Sequence, residues 1–383
     1  MLTLSLLLGL MLFLSISMIG IAGWLCSEEL LRVKKSERVY LRKVRVIGIT
    51  AETITLQRTR NTAYDGIYGI DWQSHYAVVG KIIARTERTV TRKLLKATQV
   101  PAVGARVRWN IFVYAGDPER ALGLAYEDVR VPSQQGPLPA WFLPGPRTTW
   151  VLMVHGYNAT REEGLRVLPR VAGLGFPVLN IAYRNDAGAP LSADRLYHLG
   201  DTEWQDVEAS VQYALEHGAR DLILYGWSMG GCIVETFLHR SSYVTHIQAV
   251  ILDSPILSWH AAAVRVMHET LHLPLWFIRI VEWIIARRGV NFAALNYLPV
   301  AHKRTLPTLL FHGTIDSRAP VTASDTFVQA CPDLVIYQRI PGVDHVQAWN
   351  ADPQAYEHAL TTFFNRASEF VLSGGDEHGW SHL

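Results

Sequence analysis

Apolar residues recur in three different patterns along the chain, and each pattern predicts a different kind of element. The first pattern is an uninterrupted apolar run, LTLSLLLGLMLFLSISMIGIAGWL, which has no charged residue from Leu2 to Leu25. At a rise of about 1.5 Å per residue, a helix of this length would extend about 36 Å, enough for the roughly 30 Å hydrocarbon core of a bilayer. We therefore predict a transmembrane anchor over residues 1–26.

A cleaved signal peptide is the alternative interpretation of this segment. The anchor is favoured because no Lys or Arg precedes the run, the run is longer than a typical signal core, and no clear A-x-A site follows it. The positive-inside rule then places the rest of the chain in the cytoplasm. The basic residues that support this orientation are Arg32, Lys34, Lys35, Arg38, Arg42, Lys43 and Arg45.

The second pattern, over residues 27–124, consists of short β-prone runs separated by Gly, Asn, Asp and Pro. Examples are VRVIGITAETITL, HYAVVGKIIAR and ARVRWNIFVYAG, which predict a small β-rich accessory module. The module is basic, with about 18 Lys or Arg against 9 Asp or Glu, in a chain whose net charge is +2. This excess fits either a surface that lies on anionic lipid or an ordinary solvated face. Nothing in it indicates nucleic-acid binding.

The third pattern, over residues 125–370, alternates apolar strands with longer segments. A strand pair, YEDVRVP and LPAWFLPG, precedes TTWVLMVHG, FPVLNIAYR, DLILYGWS, QAVILDSP and LPTLLFHG. One intervening segment has helical spacing from Trp204 to Leu215, with Asp201 as its predicted cap and Gly218 as its predicted end. These repeats predict an α/β fold with a mostly parallel, doubly wound sheet. Residues 371–383 form a predicted flexible tail.

Length and cysteine content narrow the class further. A chain of 383 residues that is 49% hydrophobic and 18% charged can bury one large core and still carry a smaller module. Cys26, Cys232 and Cys331 form no C-x-x-C pair, so we expect no structural disulfide and no zinc site.

One serine lies between two glycines in LILYGWSMGG, residues 222–231. A G-x-S-x-G match alone is weak evidence, but here an apolar strand leads into the turn and a helix, GCIVETFLHRS, follows it. Gly226 and Gly230 lack Cβ atoms, so strand and helix can approach closely around Ser228. This pattern predicts a nucleophilic Ser228 exposed at a helix N-terminus.

A serine nucleophile needs amide donors for the developing oxyanion. The N–H of Met229 at the helix start is the first predicted donor. The second is the N–H of Tyr157, in the turn that ends the strand VLMVHGYN. His155 in the same turn is interpreted as a loop-ordering residue.

The serine also needs a histidine base and a carboxylate that orients it. His345 in PGVDHVQAWN is favoured, because it lies in a loop between an apolar strand and a helix. Asp316 in HGTIDSRAP is the preferred acid and Asp253 in ILDSP the alternative, while Asp344 is expected to face solvent. Among the other histidines, His312 is expected to pack at a strand end, and four are expected in helices: His239, His260, His268 and His272.

These motifs, in this order, resemble the α/β-hydrolase superfamily, in particular its serine-aminopeptidase-like and lipase-like branch. The resemblance covers residues 125–367 and rests on VHGYN, YRN, GWSMGG, DSP, HGTIDSRAP and GVDH. It implies Ser228 as nucleophile, His345 as general acid and base, and Asp316 as the orienting acid, with the Met229 and Tyr157 amides as oxyanion donors. A serine at the elbow argues against dehalogenase or epoxide hydrolase chemistry.

The resemblance also implies that the insertion at residues 256–304 is a lid. Its apolar helical positions Trp276, Phe277, Ile280, Val281 and Ile284 could line an acyl pocket, touch a bilayer or pack on the body of the protein. The sequon at Asn158 is interpreted as chance, since a glycan there would block the site.

Taken together, the sequence predicts a membrane-anchored serine hydrolase that cleaves a carboxylic ester through an acyl-enzyme. We expect no metal and no cofactor, and a small acyl ester or lipid-like substrate. Two alternatives stay open: a peptidase or amidase, which the same triad supports, and a non-catalytic membrane scaffold. Pocket shape and oligomeric state depend on residues distant in sequence, so neither is predicted.

Overall fold

The N-terminal segment is one long helix. The structure, a computed structural model, describes residues 2–33 and 43–372. Helix α1 runs over Leu2–Leu31, and by length and composition it fits a membrane span or a signal sequence. It continues beyond the predicted boundary at residue 26, because its last turn packs on the body of the protein and Leu31 is fully buried there. The predicted basic residues Lys34, Lys35, Arg38 and Arg42 lie outside the described residues, as do residues 373–383 of the predicted tail.

The β-rich region predicted after the anchor is a closed antiparallel barrel. Its strands follow the order β1-β2-β5-β4-β3-β6 around the barrel. Alternate side chains such as Val44 and Val46 of β1 point into the interior and are buried, as the period of two along a strand requires. The bounds are β1 Lys43–Ile49, β2 Thr53–Gln57, β3 Tyr68–Trp72, β4 His75–Arg85, β5 Thr89–Ala97 and β6 Arg106–Asn110.

The remainder forms an eight-stranded sheet in the order β14-β13-β12-β11-β9-β10-β8-β7, and β8 alone runs against its neighbours. The predicted strand pair and the parallel strands are therefore confirmed. The strands are β7 Glu127–Val131, β8 Leu138–Leu143, β9 Thr149–Val154, β10 Val178–Ile181, β11 Asp221–Trp227, β12 Ile247–Asp253, β13 Thr308–Gly313 and β14 Val335–Ile340. The helices after α1 are α2 Pro118–Leu122, α3 Leu168–Gly173, α4 Trp204–Glu216, α5 Met229–Arg240, α6 Trp259–Ala263, α7 Leu275–Arg287, α8 Val321–Ala330, α9 Ala348–Ala351 and α10 Pro353–Leu372.

Helices cover both faces of this sheet, which explains why its strands are apolar on both sides. On β11, Leu222 and Leu224 pack with α4 and α5 on one face. Ile223 and Tyr225 pack on the opposite face, in a cluster that includes side chains of α3 and α10. Because helices cover both faces of the sheet, a substrate can reach only the strand ends and the loops that follow them.

The barrel contacts the body through the segment that follows β14. The Asn350 side-chain amide donates hydrogen bonds to the carbonyl oxygens of Ile67 and Ile111, at 2.7 and 2.8 Å. Tyr68 of β3 donates its hydroxyl to Oε1 of Gln347 at 3.0 Å. The barrel is therefore attached to the loop that carries His345.

The predicted insertion contains α6, a π-helical turn over Val264–Thr270, and α7. Of the five apolar positions predicted to share one face of α7, Phe277, Val281 and Ile284 are buried, as is Ile278. Ile280 is partly buried, whereas Trp276 is 55% exposed. Part of the predicted apolar face therefore packs on the rest of the protein, and Trp276 lies on the exposed side of the helix.

Two local predictions were wrong. Asp201 does not cap α4: Glu203 directly precedes the helix, while the Asp201 carboxylate pairs with Arg240 at 2.7 Å. His272 is not helical, because it lies in the turn before α7 with a φ of 58°. At Asp201 an ion pair engages the carboxylate that was expected to cap the helix. At His272 a turn precedes the helix, which therefore begins later.

Candidate active site

Ser228 lies at a strained elbow between β11 and α5. Its φ of 51° and ψ of −116° are unusual for a residue with a side chain. A Cβ at Gly226 would lie 2.7 Å from the Gly230 carbonyl oxygen, and one at Gly230 would collide with the Val154 carbonyl oxygen. Only glycines at these two positions allow the close approach that holds the elbow.

The elbow places the serine directly before a helix N-terminus. Met229 is the first residue of α5, so its N–H belongs to the initial turn, where amides have no carbonyl partner within the helix. The positive end of the helix dipole lies at the same place and favours negative charge. Ser228 is 8% exposed, so this charge would develop in a site with little water.

The structure brings Ser228, His345 and Asp316 together in one hydrogen-bonded line. Nε2 of His345 lies 2.8 Å from the Ser228 hydroxyl oxygen. Nδ1 of His345 lies 2.7 Å from Oδ2 of Asp316, and since the carboxylate can only accept, Nδ1 carries the proton. Nε2 is then the unprotonated nitrogen that faces the serine. Asp316 follows β13 and His345 follows β14, so both lie beyond the carboxyl ends of neighbouring strands.

The surroundings of Asp316 keep it ionised. Burial raises the pKa of Asp316, but the charge of His345 and hydrogen bonds from His312 and His345 outweigh burial, so the pKa lies well below its usual range. Oδ1 also accepts hydrogen bonds from the N–H groups of Arg318 and Ala319, each at 2.8 Å. The carboxylate is thus charged and held in one orientation.

The same pair shifts the titration of His345. Burial lowers the pKa of His345, whereas the charge of Asp316 and its hydrogen bond raise it, and the net pKa lies above the ordinary value of 6.5. A raised pKa makes the imidazole a stronger base toward the serine hydroxyl.

Asp253, the alternative acid, is engaged elsewhere. Its carboxylate accepts hydrogen bonds from the hydroxyls of Tyr356 and Ser254, each at 3.0 Å. The Ser254 hydroxyl in turn accepts the N–H of Val346 at 3.0 Å, so Asp253 supports the His345 loop from behind. The position of Asp316 against His345 therefore favours Asp316 as the orienting acid.

Asp344 was expected to face solvent, and this expectation was wrong. Its Oδ1 accepts hydrogen bonds from the N–H groups of Ser317 and His345, each at 2.8 Å, and the residue is 9% exposed. Asp344 therefore ties the acid loop to the base loop. Its two partners come from separate strand ends, which is why sequence alone did not indicate this role.

The loop after β9 is also ordered by hydrogen bonds. His155 bonds to Asp186 through Nε2 at 2.7 Å and stacks on Tyr183, in agreement with its predicted loop-ordering role. The N–H of Gly156 donates to Oε2 of the buried Glu163 at 2.7 Å. Tyr157 follows, and its hydroxyl donates to the carbonyl oxygen of Leu30 at 2.7 Å. The predicted donor residue Tyr157 is therefore also attached to the end of α1.

Sequence reasoning missed two groups that support the site. His312 was expected to pack at its strand end; it also lies 3.2 Å from Oδ2 of Asp316 and bonds to the Ser324 hydroxyl at 2.7 Å. Arg166 donates to the Val346 carbonyl oxygen at 2.7 Å and pairs with Glu163 at 3.8 Å. His312 belongs to the HGTIDSRAP motif but was assigned only a packing role, whereas Arg166 lies in no motif and acts on a loop distant in sequence.

The remaining predicted histidines do not take part in this line of hydrogen bonds. His239 lies in α5 and stacks on Tyr297, and His260 in α6 bonds to Glu282 at 2.5 Å. His268 lies in the π-helical turn and contacts the Leu273 carbonyl oxygen at 2.8 Å. The base assignment therefore stays with His345.

Known proteins share both the sequence pattern and the fold. Residues 169–369, more than half of the chain, match the model of the prolyl oligopeptidase family. A model described as a domain of unknown function (DUF8805) matches residues 45–110, which cover most of the barrel. No curated protein matches the chain.

Several solved structures are similar. The esterase Pf2001 of Pyrococcus furiosus has 20% identity and a TM-score of 0.54, over 66% of this chain and 95% of that chain. Esterases of Thermogutta terrifontis and Exiguobacterium antarcticum have 16% and 13% identity and TM-scores of 0.44 and 0.47. These two likenesses cover 63% and 62% of this chain and 99% and 100% of the respective esterases.

The protein is a serine hydrolase with the α/β-hydrolase fold, as the sequence motifs predicted. Within that class, the chain belongs to the prolyl oligopeptidase family.

Proposed function

We propose that this protein is a membrane-anchored serine esterase in which Ser228, His345 and Asp316 form the catalytic triad. The observation that carries the proposal is the continuous line of hydrogen bonds from Asp316 through His345 to Ser228, at 2.7 and 2.8 Å. A carboxylate, an imidazole and a hydroxyl in this order are the groups that activate a serine at neutral pH.

The reaction follows from these positions. Nε2 of His345 takes the hydroxyl proton of Ser228 as Oγ attacks the ester carbonyl carbon. The N–H groups of Met229 and Tyr157 stabilise the resulting oxyanion. His345 then gives the proton to the departing alcohol, which leaves an acyl-Ser228 ester. Water, deprotonated by His345, releases the acid and restores the serine.

A fluorophosphonate probe tests this assignment directly, because it reacts only with an activated serine. We expect labelling of the detergent-solubilised full-length protein and hydrolysis of a short p-nitrophenyl ester. Ser228→Ala should abolish both and leave the melting temperature nearly unchanged. Ser133→Ala, at a serine whose hydroxyl donates to the nearby Gly136 carbonyl oxygen, is the matched control. Labelling that persists in Ser228→Ala would reject the assignment.

Peptide or amide hydrolysis is the second candidate function. Membership of the prolyl oligopeptidase family favours it, and the same triad performs both reactions. The fold shared with the Pyrococcus furiosus esterase Pf2001 favours the ester. Parallel assays with p-nitrophenyl esters and prolyl p-nitroanilides distinguish the two. The non-catalytic scaffold is not retained, since the family is one of enzymes.

The anchor and the domain division are part of the same proposal. We divide the chain into the anchor over residues 1–26, the barrel module over 27–124, and the hydrolase domain over 125–370 with its lid at 256–304. The long apolar run without a clear A-x-A site favours the anchor over a cleaved signal, and the basic residues after it favour a cytoplasmic body. An alkaline phosphatase fusion after Lys43 should be inactive and a green fluorescent fusion bright. An active alkaline phosphatase fusion together with a green fluorescent fusion that is dark would place the body on the non-cytoplasmic side of the membrane.

A further inference from the structure

The lid helix α7 is apolar on two sides. One side is buried and includes Phe277, Val281 and Ile284. The other side carries large apolar residues that are more than half exposed: Leu275 at 53%, Trp276 at 55% and Trp283 at 58%. Leu271, just before the helix, is 60% exposed. We name these four residues the lid face. A cluster of this kind on a soluble surface normally marks an interaction site.

The lid face lies beside α1. A methyl group at Gly23 would lie 2.7 Å from Cδ1 of Ile284, so the two helices touch at this point. Arg288, just after α7, bonds to Glu28 at 2.7 Å and to the Ser27 hydroxyl at 2.8 Å. Gly23 of α1 meets Ile284 of α7, and the later residue Glu28 meets the later residue Arg288. The two helices therefore run in the same direction. The N-terminal end of α7 therefore points back along α1, toward its membrane segment.

The length of α1 that is free of the protein is too short to cross a bilayer. Side chains from Leu4 to Ile16 are all exposed, Ser17 is partly buried, and Ile19 packs against the core of the body. Residues 2–16 rise about 22 Å, roughly 8 Å less than the hydrocarbon core. About five more residues, through Ile21, must enter the membrane, and any tilt of the helix increases this number.

The part of α1 that must enter the membrane to complete the span lies beside the lid. Trp276 lies eight residues before Ile284, so the start of α7 reaches about 12 Å back along α1 from the contact at Gly23. This brings Leu275 and Trp276 to the level of the required membrane segment. If α1 spans the bilayer, part of the lid must therefore contact lipid.

The exposed side of α7 has the chemistry of a membrane interface. Trp276, Arg279, Trp283 and Arg287 follow one another at spacings of three or four residues, which places them on one stripe. The Arg287 guanidinium lies 4.7 Å from the centre of the Trp283 ring. Tryptophan rings beside arginines are typical of helices at the level of lipid headgroups.

We propose that the lid face is seated in the bilayer interface beside α1, and that the protein takes its ester from the lipid phase. The inference rests on the proposed anchoring and esterase activity. It assigns the lid face to lipid, and it assigns the substrate class to esters long-chained enough to partition into a bilayer.

Depth-dependent quenching tests the lid position. Single cysteines replace Ser15, Trp276 and Val103 in a full-length Cys26→Ser background, in which Cys232 and Cys331 are buried. Each variant is labelled with bimane and reconstituted in phosphatidylcholine and phosphatidylglycerol vesicles with brominated acyl chains. Ser15→Cys is the positive control, because it lies in the proposed anchor. Val103→Cys is the negative control, because it lies at an exposed apolar position of the barrel module. Bromine should reduce the emission at positions 15 and 276 by about twofold or more and leave position 103 unchanged.

The outcomes separate the lid inference from the proposals on which it rests. Quenching at 15 without quenching at 276 overturns the lid inference alone. No quenching at 15 overturns the anchoring, and the lid inference with it. Fluorophosphonate labelling of the same vesicles reports the esterase proposal independently.

Kinetics test the substrate class. Trp276→Gln combined with Trp283→Gln should lower hydrolysis of a long-chain ester dispersed in the vesicles about tenfold or more, because the lid loses its seat in the lipid. The double variant should hydrolyse a short water-soluble ester at a rate within about twofold of the wild type. Val103→Gln should hydrolyse both the long-chain and the short ester within about twofold of the wild type. An equal loss with both esters would overturn the assignment of the lid face to lipid.

Discussion

At the scale of single residues, the site depends on which carboxylate meets which histidine nitrogen. Asp316 and Asp253 both follow apolar strands, and both are buried. Asp316 directs Oδ2 at Nδ1 of His345, whereas Tyr356 and Ser254 engage the carboxylate of Asp253. Two residues of one type in similar sequence contexts are therefore expected to have different effects on rate and stability.

Asp316→Asn should lower kcat for a short p-nitrophenyl ester by about 10⁴, because the amide stabilises the wrong His345 tautomer. Asp253→Asn should mainly reduce the free energy of unfolding, by about 1–3 kcal/mol, because it disturbs buried hydrogen bonds. Steady-state kinetics and thermal melting of both variants in detergent check this ranking. A larger loss of kcat in Asp253→Asn would make Asp253 the triad member.

The raised pKa of His345 predicts a pH dependence. Only the neutral imidazole can take the serine proton, so kcat/KM should rise with pH and reach half its maximum at a pH above 6.5. Asp316 supplies the interaction that raises this pKa, so the residual activity of Asp316→Asn should titrate at lower pH. A pH–rate profile of both proteins measures the shift, and a wild-type midpoint below 6.5 would contradict it.

At the scale of elements, the proposed anchor helix α1 is joined to the body of the protein by hydrogen bonds at its C-terminal end. The N–H of Tyr197 donates to the Leu31 carbonyl oxygen at 2.7 Å, and Tyr157 donates to that of Leu30. These carbonyls belong to the last turn of α1, where no helical N–H remains to bond to them. The end of the proposed anchor helix is thus attached to the loop that supplies the proposed Tyr157 amide donor.

Tyr157→Phe removes this attachment and keeps the ring. We expect kcat to fall about fivefold with little change in KM, since a hydrogen bond of about 1 kcal/mol no longer holds the loop in place. Tyr213→Phe, on α4 and remote from the site, should leave kcat unchanged. Steady-state kinetics in detergent separate kcat from KM. An increase in KM alone would show that Tyr157 acts on substrate binding instead.

At the scale of the whole molecule, the barrel and the hydrolase body meet at the loop that carries His345. Asn350 is fully buried there, and it joins carbonyl groups of Ile67 and Ile111 to Arg166 of the body. The barrel therefore helps to hold the base loop, although its strands contribute none of the proposed catalytic groups.

Asn350→Ala leaves the two barrel carbonyls and one Arg166 N–H without this partner. We expect the free energy of unfolding to fall by about 2–3 kcal/mol, and kcat to fall with it because the His345 loop loses support. Differential scanning fluorimetry and ester hydrolysis in detergent check both effects. Asn291→Ala, at an exposed asparagine within the lid segment, is the control. Unchanged stability and activity in Asn350→Ala would show that the barrel does not support the site.

The amino-acid sequence alone determined the local elements: the apolar helix, the strand–elbow–helix around Ser228, the β-rich segment, and the α/β alternation. Each depends on residues close in sequence, through hydrophobic period or the steric freedom of Gly226 and Gly230. Tertiary structure decided the rest. It separated Asp316 from Asp253, buried Asp344 and exposed Trp276, because these outcomes depend on which distant loops and helices pack together.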